Sequence, residues 1–280
     1  MSKPKYAEAT DRGRHYHHPK TGEIWISITN ALDMAVNKPA LVPWAAKVTA
    51  ESFWSRLPDA VTASMGGSRA KDPFMREVKG QVRYVKDTAA DLGTRVHDAA
   101  EALALGKTVT EDEEAAPYAA QVLAWMEKFG VDMNRDIEAA EATIINRTCG
   151  YAGTGDLWVH LHLAPDLTWT PRKRHLWLVD YKSSATRPAD SCYPENGLQL
   201  AALANAESLL LDDGTEIPPP GPIAGTAVLN LRTDTHAFIP VPADRATAYE
   251  AFCCAVTMAT YLHGNTAKPA VVTRPEKAST

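Results

Sequence analysis

The run Leu176-Trp177-Leu178-Val179-Asp180-Tyr181-Lys182 constrains this chain more than any other stretch. Four apolar residues in succession read as a buried strand, and that strand ends by presenting a carboxylate and an amine two positions apart. Side chains two apart on a strand share a face, so Asp180 and Lys182 should project together beyond the strand while Tyr181 points the other way. The Tyr181 carbonyl lies between them, so the tripeptide offers a hard cation two oxygens with an ammonium alongside. Taken alone, Asp-x-Lys at a strand end is more often a solvated ion pair. The rest of the chain has to choose between the two.

A core is available to bury such a strand, because 45% of the 280 residues are hydrophobic and 22% charged, the balance of an ordinary globular chain. No run of about 18 apolar residues occurs, and Met1-Ser2-Lys3-Pro4-Lys5 lacks the apolar stretch of a secretory signal, which predicts a soluble, intracellular protein without a membrane partner. Cys149, Cys192, Cys253 and Cys254 include no Cys-x-x-Cys pair, so neither a zinc ribbon nor a disulfide framework is expected. A net charge of -5 argues against wholesale coating of nucleic acid but leaves room for a basic groove around an acidic metal site.

Residues 1 to 14 are polar, with Lys3, Lys5, Arg12 and Arg14, and read as a mobile basic arm. His15 to Ile26 then reads as a β-hairpin around Pro19 and Gly22, with His15 and His17 as solvated strand residues lacking a third ligand. From Ser27 the pattern turns helical, with Thr29 or Asn30 able to cap the start. Pro39 and Pro43 divide the helical pattern into short pieces, and Leu41 to Phe53 reads as a core-facing amphipathic helix. Pro58 to Asp72, holding Met65-Gly66-Gly67-Ser68, reads as a linker, so residues 1–74 form an N-terminal region apart from the rest.

The longest helical signal spans residues 75 to 105, where Val85, Ala89, Leu92, Val96, Ala99 and Leu103 recur at spacings of three and four. His97 lies at the rim of that face, held yet able to reach a cleft, and Glu101 one turn on is either a second ligand or solvated. Leu105-Gly106-Lys107-Thr108 lacks the upstream glycine of a phosphate loop. After the acidic run Glu111 to Glu114, a helix is expected over Tyr118 to Phe129.

The texture then turns to strands: Ala142 to Ile145 and Tyr151 to Val159, antiparallel about Arg147-Thr148-Cys149-Gly150. Gly153 and Gly155 suggest a bulge or close backbone approach that aims Asp156 into a cleft. Asp166 to Arg174 is a polar loop before the Asp-Tyr-Lys strand. A helix begins at Pro194 with Gln199 near its start, then comes a Pro- and Gly-rich loop over Asp212 to Pro222. A hairpin over Gly225 to Val241 and a helix over Asp244 to His263 complete a core of residues 75–264, with 265–280 read as a disordered tail. The order is that of an α/β chain of the α+β type.

The sequence of helix with His97, strand, strand with Asp156, strand with Asp180 and Lys182, then helix with Gln199 resembles the common core of the PD-(D/E)XK nuclease superfamily. The likeness is nearest to its RecB-type branch, which includes the CRISPR-adaptation nucleases and similar tailed-phage exonucleases. Gly93-Thr94-Arg95-Val96-His97, Gly153-Thr154-Gly155-Asp156, Asp180-Tyr181-Lys182 and Gln199-Leu200 match the branch's motifs, and Lys38-Pro39-Ala40-Leu41-Val42-Pro43-Trp44-Ala45-Ala46-Lys47 resembles phage relatives. Two departures stand out. Leu203 occupies the place of the tyrosine that comes after the family's glutamine, and Cys253-Cys254 does not reproduce the cysteine pattern of the relatives' iron–sulfur cluster, so no cluster is expected.

The resemblance implies a restriction-endonuclease-like core, a central mixed sheet flanked by helices, carrying an N-terminal hairpin and helical extension. It implies a metal-dependent DNA nuclease, an exonuclease of phage-type recombination, repair or replication, working in the cytoplasm of a bacterial cell or phage-infected host. His97, Asp156, Asp180 and the Tyr181 carbonyl would hold Mg²⁺ or Mn²⁺, with the imidazole making manganese acceptable. Lys182 would orient the attacking water and stabilise developing charge, and Gln199 would hold that water or a phosphate oxygen. Arg172, Lys173, Arg174 and Arg187 flank the strand as candidates for the phosphates of single- or double-stranded DNA, or as a solvated loop. The competing readings are a non-cleaving nucleic-acid-binding member of the fold and a subunit that contacts a helicase or recombinase.

Overall fold

A computed structural model describes residues 5–109 and 112–264. The chain opens with β1 (Ala7–Thr10), β2 (Gly13–His17) and β3 (Ile24–Ser27), then α1 (Ile28–Ala35), α2 (Leu41–Ser55), α3 (Leu57–Met65), α4 (Ser68–Ala104) and α5 (Ala116–Phe129). Next come β4 (Ile137–Asn146), β5 (Tyr151–Leu161), β6 (His175–Ser183) and α6 (Pro194–Ala204). The chain continues through β7 (Ser208–Leu210), β8 (Glu216–Ile217), β9 (Gly225–Leu231) and β10 (His236–Pro240) to α7 (Arg245–Gly264). Helices flank a mixed ten-stranded sheet on both faces.

The apolar run of β6 explains why both faces are covered. Leu176 and Leu178 enter a core with α1, α6 and α7, while Trp177, Val179 and Tyr181 enter a second core with α4 and α5. Such a strand has no face for water, which is why its apolar residues are continuous rather than alternating. Trp125, Trp158 and Trp177 are all fully buried, each removing of order 200 Å² of apolar surface from water. Trp177 also donates its ring N–H to the Leu163 carbonyl at 2.8 Å.

The topology turns on β5. β4 runs antiparallel along one edge of it, from Asn146↔Tyr151 to Ile137↔Val159. Its other edge changes partner: β3 pairs in parallel at Tyr151 and Ala152, whereas β6 pairs antiparallel from Leu157 to Leu161. Residues 153–156 are left between the two, and the sheet forks there. β6 continues past the fork by pairing in parallel with β9 as far as Ser183↔Leu231.

Several sequence expectations change. The supposed mobile arm contains β1, which pairs with β2 because the hairpin supplies an edge for its backbone groups. Thr29 and Asn30 do not cap α1; Ser27 does, its Oγ accepting from the Asn30 N–H at 3.0 Å. The stretch Pro58 to Asp72 is α3 and the start of α4 rather than a linker. Pro58 falls in the first turn, where a missing N–H costs nothing, and only Gly66-Gly67 breaks the two helices, Gly67 taking a left-handed φ of 64°. Nor is α2 core-facing, since none of its residues is buried; with α3 it lies on the N-terminal half of α4 around a small cluster of Ala63, Phe74 and Val78.

The boundary expected at residue 74 therefore falls inside α4, and the N-terminal hairpin belongs to the central sheet through β3. The tail over 265–280 lies outside the described residues. Among the described residues no helix is long and apolar enough to cross a membrane.

Two glycines permit the fork. A Cβ on Gly153 would lie 2.5 Å from Ile28, and one on Gly155 would lie 2.2 Å from the ring of Trp158. Overpacking of this kind costs about 1–3 kcal/mol, so Gly155→Ala should lower the urea midpoint of unfolding substantially. An unchanged midpoint would mean that Trp158 can move aside.

Candidate metal centre

Five elements deliver side chains to the fork. The last N–H of β6 that faces β5, that of Tyr181, meets no β5 carbonyl and instead donates to Asp156 Oδ2 at 2.7 Å. A buried backbone donor must be paired, so this bond fixes the carboxylate at the mouth of the fork. From α4, His97 reaches the Tyr181 carbonyl with Nε2 at 3.1 Å, and its Nδ1 lies 3.5 Å from Asp156 Oδ2. Gly93, one turn earlier, faces β6, where a Cβ would make an ordinary contact with Ser183 Oγ at 3.7 Å.

The opposite layer closes the site. Gln199 on α6 donates Nε2 to Asp180 Oδ1 at 2.7 Å and accepts from Lys182 Nζ at 3.3 Å. Lys182 Nζ also stands 2.5 Å from Asp180 Oδ2. Asp180 and Lys182 thus share a face, as the strand period requires, with Tyr181 turned to the other core. The loop after β6 is tied down by buried Arg232, which donates to the Arg187 and Pro188 carbonyls, and by Asn230, which donates to those of Ala189 and Ser191.

One group in the site was not foreseen. Glu141 on β4 lies across from Asp156, with Oε1 3.6 Å from His97 Nδ1. His97, Glu141 and Asp156 offer ligand atoms all within 4.8 Å of one another. Glu141 Oε1 is buried without a hydrogen-bond partner, and Glu141 takes a left-handed φ of 46°. A buried unpaired carboxylate oxygen is costly, and a non-glycine residue at positive φ adds of order 1–3 kcal/mol. Both observations fit a hard cation's ligand set of imidazole nitrogen and carboxylate oxygens. Glu101, the alternative ligand one turn beyond His97, is not part of this triad.

The signal for Glu141 was weak in the sequence because alanines flank it on both sides and reveal no face. In the structure Ala140 packs into the α4/α5 core and Ala142 into the α1/α6/α7 core, so the two-residue alternation slips at Glu141. The same slip occurs opposite, between Tyr151 and Leu157 on β5, which face different cores despite both being odd-numbered.

The charges are pushed apart. Burial works against a cationic His97, but Asp156 and Glu141 outweigh it and hold the imidazole well above its usual range. Burial would raise Asp156, yet His97, Lys182 and the Tyr181 N–H bring it below the ordinary carboxylate value. Asp180 is raised, by burial first and by Asp156 as well, despite Lys182 beside it. Burial opposes the charge on Lys182, but Asp180 and Asp156 prevail and raise it.

Of the four basic residues expected near phosphates, only Arg187 lies at this end of β6, its guanidinium over the Tyr193 ring at 5.0 Å. Arg172, Lys173 and Arg174 precede the other end of β6, roughly 20 Å or more from Asp180 at about 3.3 Å per residue. Arg174 is engaged there with buried Asp136 at 3.2 Å. Strand direction is the reason: the chain enters β6 on one side of the sheet and delivers its chemistry on the other. Leu203 is a core residue, 1% exposed, one turn beyond Gln199 on α6 and near Gly153. All four cysteines are free.

Compared with family models and with curated proteins, the sequence matches none.

Burial pushes Glu141 up from an ordinary 4.5 to about 7, the largest effect on it, with Asp156 adding to the rise. A raised acid favours the folded state only while protonated. Its contribution is present below about pH 4.5 and is lost as pH rises through about 7. Metal-free Glu141→Gln should therefore melt a few degrees above wild type at pH 8, with the gap closing toward pH 4.5. Added Mn²⁺ should stabilise the wild type more than the variant. Melting curves across pH in EDTA and in Mn²⁺ check both; parallel curves would remove Glu141 from the ligand set.

Proposed function

We propose that this chain is a divalent-metal-dependent deoxyribonuclease with a restriction-endonuclease-like core, of the RecB-type branch of the PD-(D/E)XK superfamily. Its place is phage-type DNA recombination, repair or replication in the cytoplasm of a bacterial cell or infected host, as an exonuclease. One observation carries the reading. His97 and Asp156 meet the two backbone groups of Tyr181, the carbonyl and the N–H, and Gln199 joins Asp180 to Lys182 on either side of it, so residues from four separate segments gather at one fork of the sheet.

Asp156, the Tyr181 carbonyl, His97, Asp180 and Glu141 supply the donors that would hold Mg²⁺ or Mn²⁺. Bound there, the cation would neutralise charge on phosphoryl oxygens and make water a better nucleophile. The chain's own residues do the rest. Lys182 remains cationic because Asp180 and Asp156 raise its pKa, so it can stabilise negative charge developing on the phosphorus oxygens. Gln199 holds both Lys182 and Asp180 in place, which fixes the ammonium relative to the carboxylates before substrate arrives. The complete set of two acids and a lysine disfavours a non-cleaving binding module, which has no need of it.

Lys182→Met and Asp180→Asn should each lower metal-dependent cleavage of end-labelled DNA by about 100-fold or more. The Mn²⁺-induced rise in melting temperature should survive in Lys182→Met and shrink in Asp180→Asn. Incubating linear and circular, single- and double-stranded DNA with Mg²⁺, Mn²⁺ or EDTA makes the measurement. Near wild-type turnover in either purified variant would overturn the assignment.

A further inference from the structure

The helix that carries His97 extends far beyond the site. α4 runs from Ser68 to Ala104, and from about Lys79 to Ala90 its residues are exposed or half-buried. At about 100° of rotation per residue, Ala90, Lys86, Arg83, Lys79 and Arg76 all fall within about 60° of the direction of His97. The face that holds the metal-site histidine therefore continues outward as small residues, Gly93 and Ala90, and then as four exposed cations. The stripe reaches about 30 Å from His97 to Arg76 at 1.5 Å per residue. Arg83 also touches Asp87 at 3.3 Å, an exposed pair that water and salt readily exchange.

The packing of α2 and α3 leaves this stripe open. They cover the side of α4 that carries Phe74 and Val78, about 100° or more around the helix from the stripe. Along the border between the two lies an apolar groove floored by Ala45, Ala46, Ala50 and Met75, with Phe53 and Trp54 at its end. Trp54 is 75% exposed, which leaves its ring face open for a base to stack on. A row of cations beside a groove with exposed aromatic rings matches a strand whose phosphates face one way and whose unpaired bases face the other. In a chain of net charge -5 such a stripe is a local exception, and its charge is complementary to a polyanion.

We propose that this face of α4, with the α2 groove, is a track for single-stranded nucleic acid: Arg76, Lys79, Arg83 and Lys86 hold the sugar-phosphate backbone, and Trp54 stacks a base. The track leads along one helix face to His97 and so delivers a single strand to the metal centre. This rests on the nuclease reading for its purpose, but the binding it describes can be measured without cleavage.

The test uses the full chain with all four cations changed to Gln (Arg76→Gln, Lys79→Gln, Arg83→Gln, Lys86→Gln), and separately Trp54→Ala. Binding of a labelled single-stranded oligonucleotide in EDTA is monitored by fluorescence anisotropy over a range of salt. Wild-type affinity should fall with salt, and the quadruple variant should lose about 3 from the slope of log K against log salt, at about 0.7 per phosphate contact. Trp54→Ala should bind single strands at least several-fold more weakly while keeping the wild-type slope, and should leave duplex binding unchanged. Both variants should keep the wild-type melting temperature and its rise with Mn²⁺, which shows that fold and metal site are intact.

A wild-type salt slope in the quadruple variant would overturn the track. Equal losses for single strand and duplex in Trp54→Ala would overturn the single-strand assignment, and so would loss of self-association in Trp54→Ala with unchanged DNA binding, which would make the groove a contact between copies. Failure of the nuclease reading looks different: no metal-dependent cleavage by wild type, whatever the slopes.

Discussion

The site depends on a single backbone donor. Where β5 gives up β6 as a partner, the N–H of Tyr181 has no strand carbonyl to meet, and Asp156 takes that place at 2.7 Å. A buried N–H left unpaired costs of order 1–3 kcal/mol, so the carboxylate is held there as part of the sheet. Its second duty, facing His97, is a consequence of the first. The fork itself exists because β3 and β6 approach the same edge of β5 from different directions, one parallel and one antiparallel. Gly153 and Gly155 occupy the gap since Ile28 and Trp158 leave no room for a Cβ.

Because the sheet is split there, groups from both helical layers can meet. His97 arrives from α4 on one face, and Gln199 arrives from α6 on the other. An intact sheet would have kept them apart. The cost of gathering three carboxylates in a buried space is visible in their pKa directions: Asp180 and Glu141 are pushed up by burial, and only Asp156 is drawn down, by His97 and its other partners. A cluster so arranged is electrostatically incomplete with one imidazole and one ammonium as its cations. A divalent ion would complete it.

α4 joins two parts of the molecule that share little else. Its C-terminal third is packed into the second core through Val96, Ala100 and Ala104, while its N-terminal half supports α2 and α3 around Phe74 and Val78. A long helix is stiff over such lengths, so the position of the outer helices relative to His97 is set by one element rather than by a hinge.

The sequence by itself determined most of the elements and which of them carry the candidate site residues. Strict helical spacing over residues 75 to 105, the glycines around Asp156 and the apolar run before Asp180 placed His97, Asp156, Asp180, Lys182 and Gln199 on the right kinds of element, because periodicity is a local property that side-chain type records directly. It did not reveal which ends of strands lie together, so Arg172, Lys173 and Arg174 were placed near a site from which the length of β6 separates them. Nor did it reveal Glu141, whose flanking alanines pack equally well in either core. Those outcomes depend on strand direction, on the exchange of partners along β5 and on a slip in alternation shared by two strands. Each is a relation between segments distant in the chain, fixed only when buried backbone groups find partners and two cores fill on opposite sides of one sheet.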